Sequence, residues 1–310
     1  MTIAHRFIGI DVCKTHLDIY DEATAKSWRI ANSPVAVAAT LAAWPQAGVR
    51  VIFEATGSYD RILCRALEAA NLAYVRVNPA RARDFARATS ALAKTDALDA
   101  RLLANMGRAL ALAPSQTAHP LRQRLTGLQR RRDQLVAARA DDKKRLAIAE
   151  GEDVRASIAA HIAWIDTEVE RLQAVIDRLV AGAAELATLR KQLQTAPGVG
   201  PVTAITLIAL LPELGQRSAK TIAALAGLAP FNNDSGAFRG QRHIRGGRQR
   251  VRQALYMAAL AAIRKVPRLA LHYRNVRTRS GHAKVAIIAV ARKLLVALNA
   301  MLRTGQPFRA

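Results

Sequence analysis

The sequence predicts a three-part chain: an α/β domain, a helical coiled-coil segment, and a mostly helical domain with a helix-hairpin-helix. Three observations lead to this prediction. Short β-type runs alternate with helical stretches in the first third, a seven-residue apolar repeat fills the middle, and positive charge is concentrated in the last third. We therefore expect domains at 1–113, 114–192 and 193–310.

The first domain contains five apolar runs that are typical of strands. RFIGIDVC, HLDIYDEA and SWRIAN lie within residues 6–32, RVIFEAT lies at 50–56, and YVRVN lies at 74–78. Helical stretches separate the last three runs, and a further helix is expected over 94–108. Three strands followed by alternating helices and strands is the order of an RNase H-like domain.

The middle segment carries apolar residues at coiled-coil spacing. Ten positions follow the spacing: Ile158, Ile162, Ile165, Val169, Leu172, Ile176, Leu179, Ala183, Leu186 and Leu193. Both seam positions are apolar for almost four heptads, which predicts a long helix with a helical partner. A weaker run over 121–135 would supply that partner within the chain, and pairing between two chains explains the repeat equally well.

The last domain begins with a Pro-Gly-Val-Gly turn between two apolar runs. Gly198 and Gly200 in this turn are typical of a helix-hairpin-helix, in which glycines let backbone N–H groups approach a phosphate closely. A plain turn between two helices explains the same residues. Further helices are expected over 219–228, 248–264 and 283–302.

The distribution of charge indicates a nucleic-acid partner. The net charge is +24, and residues 195–310 hold 19 Lys and Arg against 2 Asp and Glu, a net of +17. Such an excess repels itself unless a polyanion is bound. We therefore expect binding to DNA or RNA that weakens steeply as salt is added.

Cysteine content and hydropathy indicate the compartment. Cys13 and Cys64 are too few for a disulfide framework or a cysteine-based zinc site. We expect no signal peptide, and Arg292 and Lys293 interrupt the longest apolar stretch, which argues against a membrane span. A reducing cytoplasm is the expected location.

Four acidic residues are placed so that they could meet in an RNase H-like domain. Asp11 and Glu54 end two strands that are neighbours in that fold, and Asp96 and Asp99 share a face of the last helix. Four carboxylates together would repel one another, and Mg²⁺, which prefers oxygen ligands, would relieve that repulsion. The joint placement predicts a magnesium site.

Each acid taken alone also has an ordinary structural explanation, as a strand-end cap or as a solvated helix residue. We interpret Asp18, Asp21 and Asp60, which lie nearby in the sequence, in that way.

The stretch FNNDSGAFRGQRHIRGGRQR at 231–250 contains Ser235 in a strongly basic setting. Six arginines follow it: Arg239, Arg242, Arg245, Arg248, Arg250 and Arg252. No histidine and carboxylate are placed to activate the serine as in a triad, whereas guanidinium groups bind phosphate oxygens and would suit a serine that attacks a phosphodiester. Composition alone favours the alternative, a turn in which the hydroxyl caps a backbone amide.

Several motifs together resemble one family. They are IGIDVCK, EATGSYD, VNPARARDFA and KTDALDARLLA in the first domain, and APGVGPVTA, AGLAPFNNDSG and HIRGGRQRVRQALYMAA in the last. In this order, and over nearly the whole chain, the sequence resembles the bridge-RNA-guided insertion-sequence transposases, also called DEDD transposases.

The resemblance implies a RuvC-like first domain, a coiled-coil middle and a C-terminal transposase domain. It implies that Asp11, Glu54, Asp96 and Asp99 bind Mg²⁺ and that Ser235 is the catalytic nucleophile. The family excises and inserts its own element in bacterial DNA, guided by a structured RNA that pairs with donor and target, and its chains assemble as tetramers. Cys13 stands where the family more often has a small polar residue, and we do not expect it to affect metal binding.

Two other functions fit the residues. One is a RuvC-type junction endonuclease in which water attacks the phosphate and Ser235 is structural. The other is a non-catalytic nucleic-acid-binding protein. The four acids argue against this function, because a binding protein gains nothing from four negative charges beside its polyanion.

Overall fold

The computed structural model describes most of the chain as two compact units, Met1–Thr117 and Ala118–Ala310. The described residues are 6–45, 47–89, 96–115, 119–231, 234–235, 238–239 and 243–308. At 96–98, 234–235 and 238–239 the description is confined to the backbone. The boundary between the units lies close to the predicted end of the first domain, and a further division at residue 193 stays a prediction.

The first unit is built on a five-stranded mixed sheet. Its strands are β1 (Arg6–Val12), β2 (His16–Asp21), β3 (Lys26–Ala31), β4 (Val49–Glu54) and β5 (Ala73–Val77). Their order in the sheet is β3-β2-β1-β4-β5. The first three strands pair antiparallel, and β1, β4 and β5 pair parallel. The predicted α/β class is confirmed, and the five strands lie where the sequence placed them.

Helices pack on the two faces of this sheet. They are α1 (Pro34–Ala42), α2 (Arg61–Ala69), α3 (Pro79–Ala88) and α4 (Asp96–Ala109). Because side chains alternate along a strand, Ile8 and Ile10 of β1 share one core with residues of α1 and α2. Ile52 of β4 points to the opposite face, where it packs with Leu103 and Met106 of α4.

Among its described residues, the second unit is helical apart from four two-residue strands. Its helices are α5 (Pro120–Ile148), α6 (Glu152–Ala181), α7 (Ala184–Gln194), α8 (Pro201–Leu210), α9 (Ala219–Leu225), α10 (Gln249–Lys265), α11 (Pro267–Ser280) and α12 (Ala283–Thr304). One hydrophobic core joins the start of α5 and the end of α6 to the later helices. In this core, Leu125 and Ile176 pack among residues of α7, α8, α10 and α12.

The coiled-coil repeat pairs α5 with α6 inside one chain. Leu135 of α5 packs against Ile165, Val169 and Leu172 of α6, all buried. The repeat runs over two helices, because α6 ends at Ala181 and α7 begins at Ala184. The seven-residue pattern continues across this break, so periodicity alone could not reveal it.

Helix α12 is apolar enough, over 22 residues, to pass the length and composition test for a membrane span. Half of its apolar stretch is buried inside the unit, where it packs against α10 and α11. Leu294, Leu295 and Leu298 are each at most 1% exposed. This helix is therefore the core of the second unit, which agrees with the expectation drawn from Arg292 and Lys293.

Candidate active site

Two of the predicted acids lie at the same end of neighbouring parallel strands. Ile10 of β1 stands opposite Phe53 of β4, so Asp11 and Glu54 are the next residues of the two strands. Glu54 follows Ile52 by two positions, and Ile52 faces α4. Because alternate residues share a face, Glu54 points to the α4 side of the sheet, as does Asp11, two positions after Gly9.

Gly9 allows α4 to lie directly on β1. A Cβ at Gly9 would stand 1.8 Å from the carbonyl oxygen of Ala100 and 2.7 Å from the amide nitrogen of Ala104. Towards the other end of the helix, a Cβ at Gly107 would meet Ile52 at 2.5 Å and Phe7 at 3.2 Å. Helix α4 therefore runs antiparallel to β1.

This packing brings the start of α4 to the level of Asp11. A strand rises about 3.3 Å per residue and a helix about 1.5 Å, so two residues of β1 match roughly four of α4. Gly9 is level with the turn between Ala100 and Ala104. Two residues further along β1, Asp11 is level with about residue 98, between Asp96 and Asp99.

Backbone register places Asp11 and Glu54 at the same end of their strands, level with the start of α4. Asp11, Glu54 and Asp99 are half-buried, and the side chain of Asp96 is not among those described. Within the part of the chain that the structure describes, no three His, Cys, Asp or Glu side chains stand close enough together to hold a metal ion. The four-carboxylate metal site stays a prediction.

Cys13 lies nearer to this edge than the sequence suggested. Two positions after Asp11 it faces the same way, and its Sγ is 3.9 Å from Oδ2 of Asp11. The thiol is a weak donor to that carboxylate. Cys13 therefore contacts one of the predicted ligands, and the expectation that it does not affect metal binding stays a prediction.

The neighbouring acids have structural partners, as predicted. Asp18 accepts two hydrogen bonds from Arg29, at 2.8 and 2.9 Å. Asp60, buried, accepts one from Nε of Arg76 at 2.6 Å. These carboxylates stabilise the sheet and its helices through charge-assisted hydrogen bonds.

Asp21 is the most completely satisfied of these acids. Arg6, the hydroxyl of Thr24 and the backbone N–H of Ala23 all donate to its carboxylate. Burial opposes the charge, but these hydrogen bonds outweigh it and hold the pKa of Asp21 below its usual value. Asp18, Asp21 and Asp60 therefore have structural partners, although they are buried and paired with arginine and not solvated.

The backbone of Ser235 lies in a two-residue strand, and a capping role of its hydroxyl stays a prediction. The strands β6 (Pro230–Phe231) and β9 (His243–Ile244) pair antiparallel, and between them β7 (Asp234–Ser235) pairs with β8 (Phe238–Arg239). Ser235 stands opposite Phe238. We call residues 230–244 the serine hairpin. The sequence favoured a turn because Asp, Ser and Gly are frequent in turns, whereas strand pairing depends on residues further along the chain.

Three of the predicted phosphate-binding arginines have partners within the chain. Arg248 makes a two-pronged contact with Glu213, at 2.5 and 2.6 Å. Arg250 does the same with Asp133 of α5, at 2.7 and 2.9 Å. Arg252 donates to the carbonyl oxygen of Gly246 at 2.8 Å. These contacts fix the start of α10, which follows the serine hairpin, and phosphate binding by these three arginines stays a prediction.

The other three arginines are placed differently. Arg245 is exposed, and its guanidinium lies 5.2 Å from the ring centre of Phe231. Arg239 stands opposite Asp234 in the backbone pairing of the serine hairpin. Arg242 lies outside the described residues.

Sequence reasoning missed Glu213 as a functional partner. It is one of two acids among residues 195–310, which was the available signal. Burial opposes its charge, but hydrogen bonds from Arg248 outweigh that effect and hold the pKa of Glu213 below its usual value.

The two glycines of the Pro-Gly-Val-Gly turn differ. Gly198 has φ of +87°, and the N–H of Val199 donates to the carbonyl of Ala196 across the turn. A Cβ at Gly198 would stand 2.2 Å from the carbonyl oxygen of Ala258 in α10, so packing alone explains this glycine. A Cβ at Gly200 would meet no described atom within 4 Å, which leaves room for a ligand at the start of α8.

Comparison with known proteins identifies the family. The DEDD transposase model of IS110 matches residues 8–148, and the transposase IS116/IS110/IS902 family matches residues 190–274. The pilin gene-inverting proteins of Moraxella lacunata and Moraxella bovis are each 28% identical to this chain, over 97% of both lengths. An uncharacterized 43.6 kDa protein of insertion element IS110 from Streptomyces coelicolor is 30% identical over 48% of this chain and 36% of its own. The chain therefore belongs to the IS116/IS110/IS902 family of transposases and is a DNA-recombining enzyme.

Proposed function

We propose that the protein is an RNA-guided transposase that cuts and rejoins DNA through Ser235, with Mg²⁺ held by Asp11, Glu54, Asp96 and Asp99. The observation that carries the proposal is the contact between Gly9 and α4. It sets the antiparallel packing that brings the two acids of α4 level with Asp11, on the side of the sheet that also carries Glu54. The unit then acts as an RNase H-like, RuvC-like domain.

The donor set suits magnesium. All four groups are carboxylates, the hard oxygen ligands that Mg²⁺ prefers. When bound, the ion would neutralise charge at a phosphate and favour ionisation of the attacking oxygen. The thiol of Cys13 is a softer donor, and in this assignment it remains outside the ligand set.

Ser235 supplies the nucleophile in this mechanism. Its Oγ loses a proton and bonds to phosphorus, while the bond from phosphorus to the 3′ oxygen breaks and that oxygen gains a proton. The product is a phosphoserine with a free 3′-hydroxyl. Arg239, Arg242 and Arg245 neutralise the phosphate, and the contacts of Arg248 with Glu213 and of Arg250 with Asp133 fix the start of α10, which follows the hairpin.

The guide RNA and the assembly belong to the same proposal. The net charge of +17 beyond residue 195 exceeds what two acids can balance, and it suits a complex that holds both DNA and a structured RNA. We propose dimers that assemble into tetramers. The outer part of α6 supports contact between chains, since Ile158 and Ile162 are half-buried and Trp164 is 53% exposed. A bacterial cytoplasm, at the nucleoid, is the corresponding location.

Covalent trapping tests the role of the serine. The protein is incubated with its flanking RNA and labelled donor and target DNA, and an SDS-stable adduct is sought. We expect an adduct with the unchanged protein and with Ser157→Ala, an exposed serine of α6, but none with Ser235→Ala. An adduct that survives Ser235→Ala would overturn the assignment of the nucleophile.

The same reaction distinguishes the junction endonuclease. If water attacks, the DNA carries free 5′-phosphate ends and no protein is attached, whichever serine is present. Omitting the RNA tests guidance separately, because an RNA-guided enzyme should lose target cleavage without it. Cleavage at the same sites with no RNA would contradict the guide-RNA part of the proposal.

A further inference from the structure

Helix α11 presents an exposed basic surface that the mechanism above does not use. Its 14 residues include Arg268, Arg274, Arg277 and Arg279, and all four side chains are exposed. The sequence from 249 to 308 contains no Asp or Glu. Helices α10, α11 and α12 therefore contain no acidic side chain that could balance these charges.

The exposed side of α11 has a defined pattern. At about 100° per residue, Leu271, Asn275 and Thr278 form a central strip. Arg268 and Arg279 lie along one edge of the strip, and Arg274 and Arg277 lie along the other. These seven positions are all exposed. Opposite them, Leu269 is buried, and the helix packs on α10 and α12.

The positive charge on this side is costly for a free protein. Leu271 leaves 52% of its surface exposed between charged neighbours. Positive groups crowd together: burial, Lys293 and Arg279 all lower the pKa of His272. Mutual repulsion on one helix face is relieved when a polyanionic partner covers it.

We propose that α11 enters the major groove of duplex DNA, with its two arginine edges on the two phosphate backbones and Leu271, Asn275 and Thr278 facing the base pairs. A helix with side chains is about 10–12 Å across, and the major groove of B-DNA is about 12 Å wide. Asparagine can bind adenine through two hydrogen bonds, and apolar or methyl groups contact the methyl of thymine.

This surface favours DNA over RNA. The major groove of A-form RNA is deep and narrow, and side chains cannot reach its bases. The inference extends the proposed function without depending on it, since DNA docking on α11 requires neither Ser235 chemistry nor a metal ion. Both can therefore be removed from the test.

The test measures DNA affinity as a function of salt in the full chain carrying Ser235→Ala, without divalent metal. Each lost phosphate contact should lower the slope of log Kd against log salt by about 0.9. We expect Arg274→Gln with Arg279→Gln to lower the slope by about 2 and to raise Kd at least about tenfold near 0.1 M salt. Arg274→Lys retains the charge and should retain the slope.

The matched control removes two exposed positive charges from α5, with Arg130→Gln and Lys143→Gln. It should leave the slope within about 0.5 of the parent. Equal losses in both double variants, with folding verified by circular dichroism, would overturn the proposal because the effect would be one of total charge.

The groove is identified by dimethyl sulfate, which methylates guanine N7 in the major groove and adenine N3 in the minor groove. We expect protection of guanine N7 that is lost in the Arg274 and Arg279 double variant. Protection confined to adenine N3 would overturn the proposal. So would a duplex RNA competitor that displaces the DNA as well as unlabelled DNA does.

Discussion

Gly9 and Ala100 are so close that a methyl group on Gly9 would stand 1.8 Å from the carbonyl oxygen of Ala100. No Cβ is tolerated at that distance from backbone, so β1 and α4 can pack in this way only if residue 9 is glycine. The same contact sets the level of Asp96 and Asp99 beside Asp11. Both the stability of the first unit and the arrangement of the acids therefore depend on residue 9 having no side chain.

Gly9→Ala should displace α4 and inactivate the enzyme. Relief of the clash requires movement of the helix, and we expect a loss of about 1–3 kcal/mol in the free energy of unfolding together with loss of strand exchange. Urea unfolding and a recombination assay measure the two effects. Gly127→Ala in α5 is the control, since a Cβ there meets no described atom within 4 Å and should add up to about 1 kcal/mol of helix stability. Full activity in Gly9→Ala would contradict this account.

Asp11→Asn and Asp21→Asn should separate catalysis from stability. Asp11 is half-exposed at the edge of the sheet, whereas Asp21 is buried and accepts hydrogen bonds from Arg6 and Thr24. We expect Asp11→Asn to abolish strand exchange at little cost in stability. Asp21→Asn should destabilise the unit by about 2–3 kcal/mol and leave the activity of the folded fraction intact. Strand exchange by Asp11→Asn at the rate of the unchanged protein would rule out the metal site.

The sheet and its acids could be predicted because their signals are local. Strand alternation in β1 and β4 is visible in the sequence, and carboxyl ends of neighbouring parallel strands meet at one edge. Helix α11 was missed, because Leu269 alone among its 14 residues is fully buried and the apolar stripe is weak. Pro267 at its start and Gly281 at its end, with φ of +71°, were the signals that could have revealed it.

The arginine partners could not be predicted. Arg250 binds Asp133, which lies 117 residues earlier, and Arg248 binds Glu213, 35 residues earlier. Ion pairs at such separations have no sequence spacing that marks them, unlike pairs one helical turn apart. The arginines that follow Ser235 therefore suggested one common role, phosphate binding. In the structure, some of them make contacts within the chain and others are exposed.

Gly198→Ala and Gly200→Ala should affect different properties. Gly198 combines a positive φ with a Cβ position 2.2 Å from Ala258, so alanine there should lower stability by about 2 kcal/mol or more. Gly200 has open space and φ of −79°, so alanine should leave the melting temperature unchanged. If Gly200 lets a phosphate approach the start of α8, DNA affinity should fall several-fold in Gly200→Ala alone. Unchanged affinity would assign the turn a purely structural role.

Glu213→Gln should destabilise the protein in a pH-dependent way. Burial opposes the charge of Glu213, but hydrogen bonds from Arg248 outweigh it, so the pKa of the folded state lies below the ordinary value of 4.5. The stabilisation by this carboxylate is therefore complete above about pH 4.5 and is lost as pH falls through the lowered pKa. We expect Glu213→Gln to cost about 1–3 kcal/mol at pH 7 and progressively less below pH 4.5, as measured by urea unfolding of the full chain.

The control for this pH dependence is Glu185→Gln, which removes an acid whose side chain is 74% exposed beside Arg122. An exposed pair contributes little, so the change should stay within about 0.5 kcal/mol at every pH. Because Arg248 also fixes the start of α10, four residues beyond the serine hairpin, Glu213→Gln should reduce formation of the covalent DNA adduct at pH 7, whereas Glu185→Gln should not. A stability difference between Glu213→Gln and the unchanged protein that persists undiminished to pH 3 would contradict this account, because a contribution from the ionised carboxylate must decline below about pH 4.5.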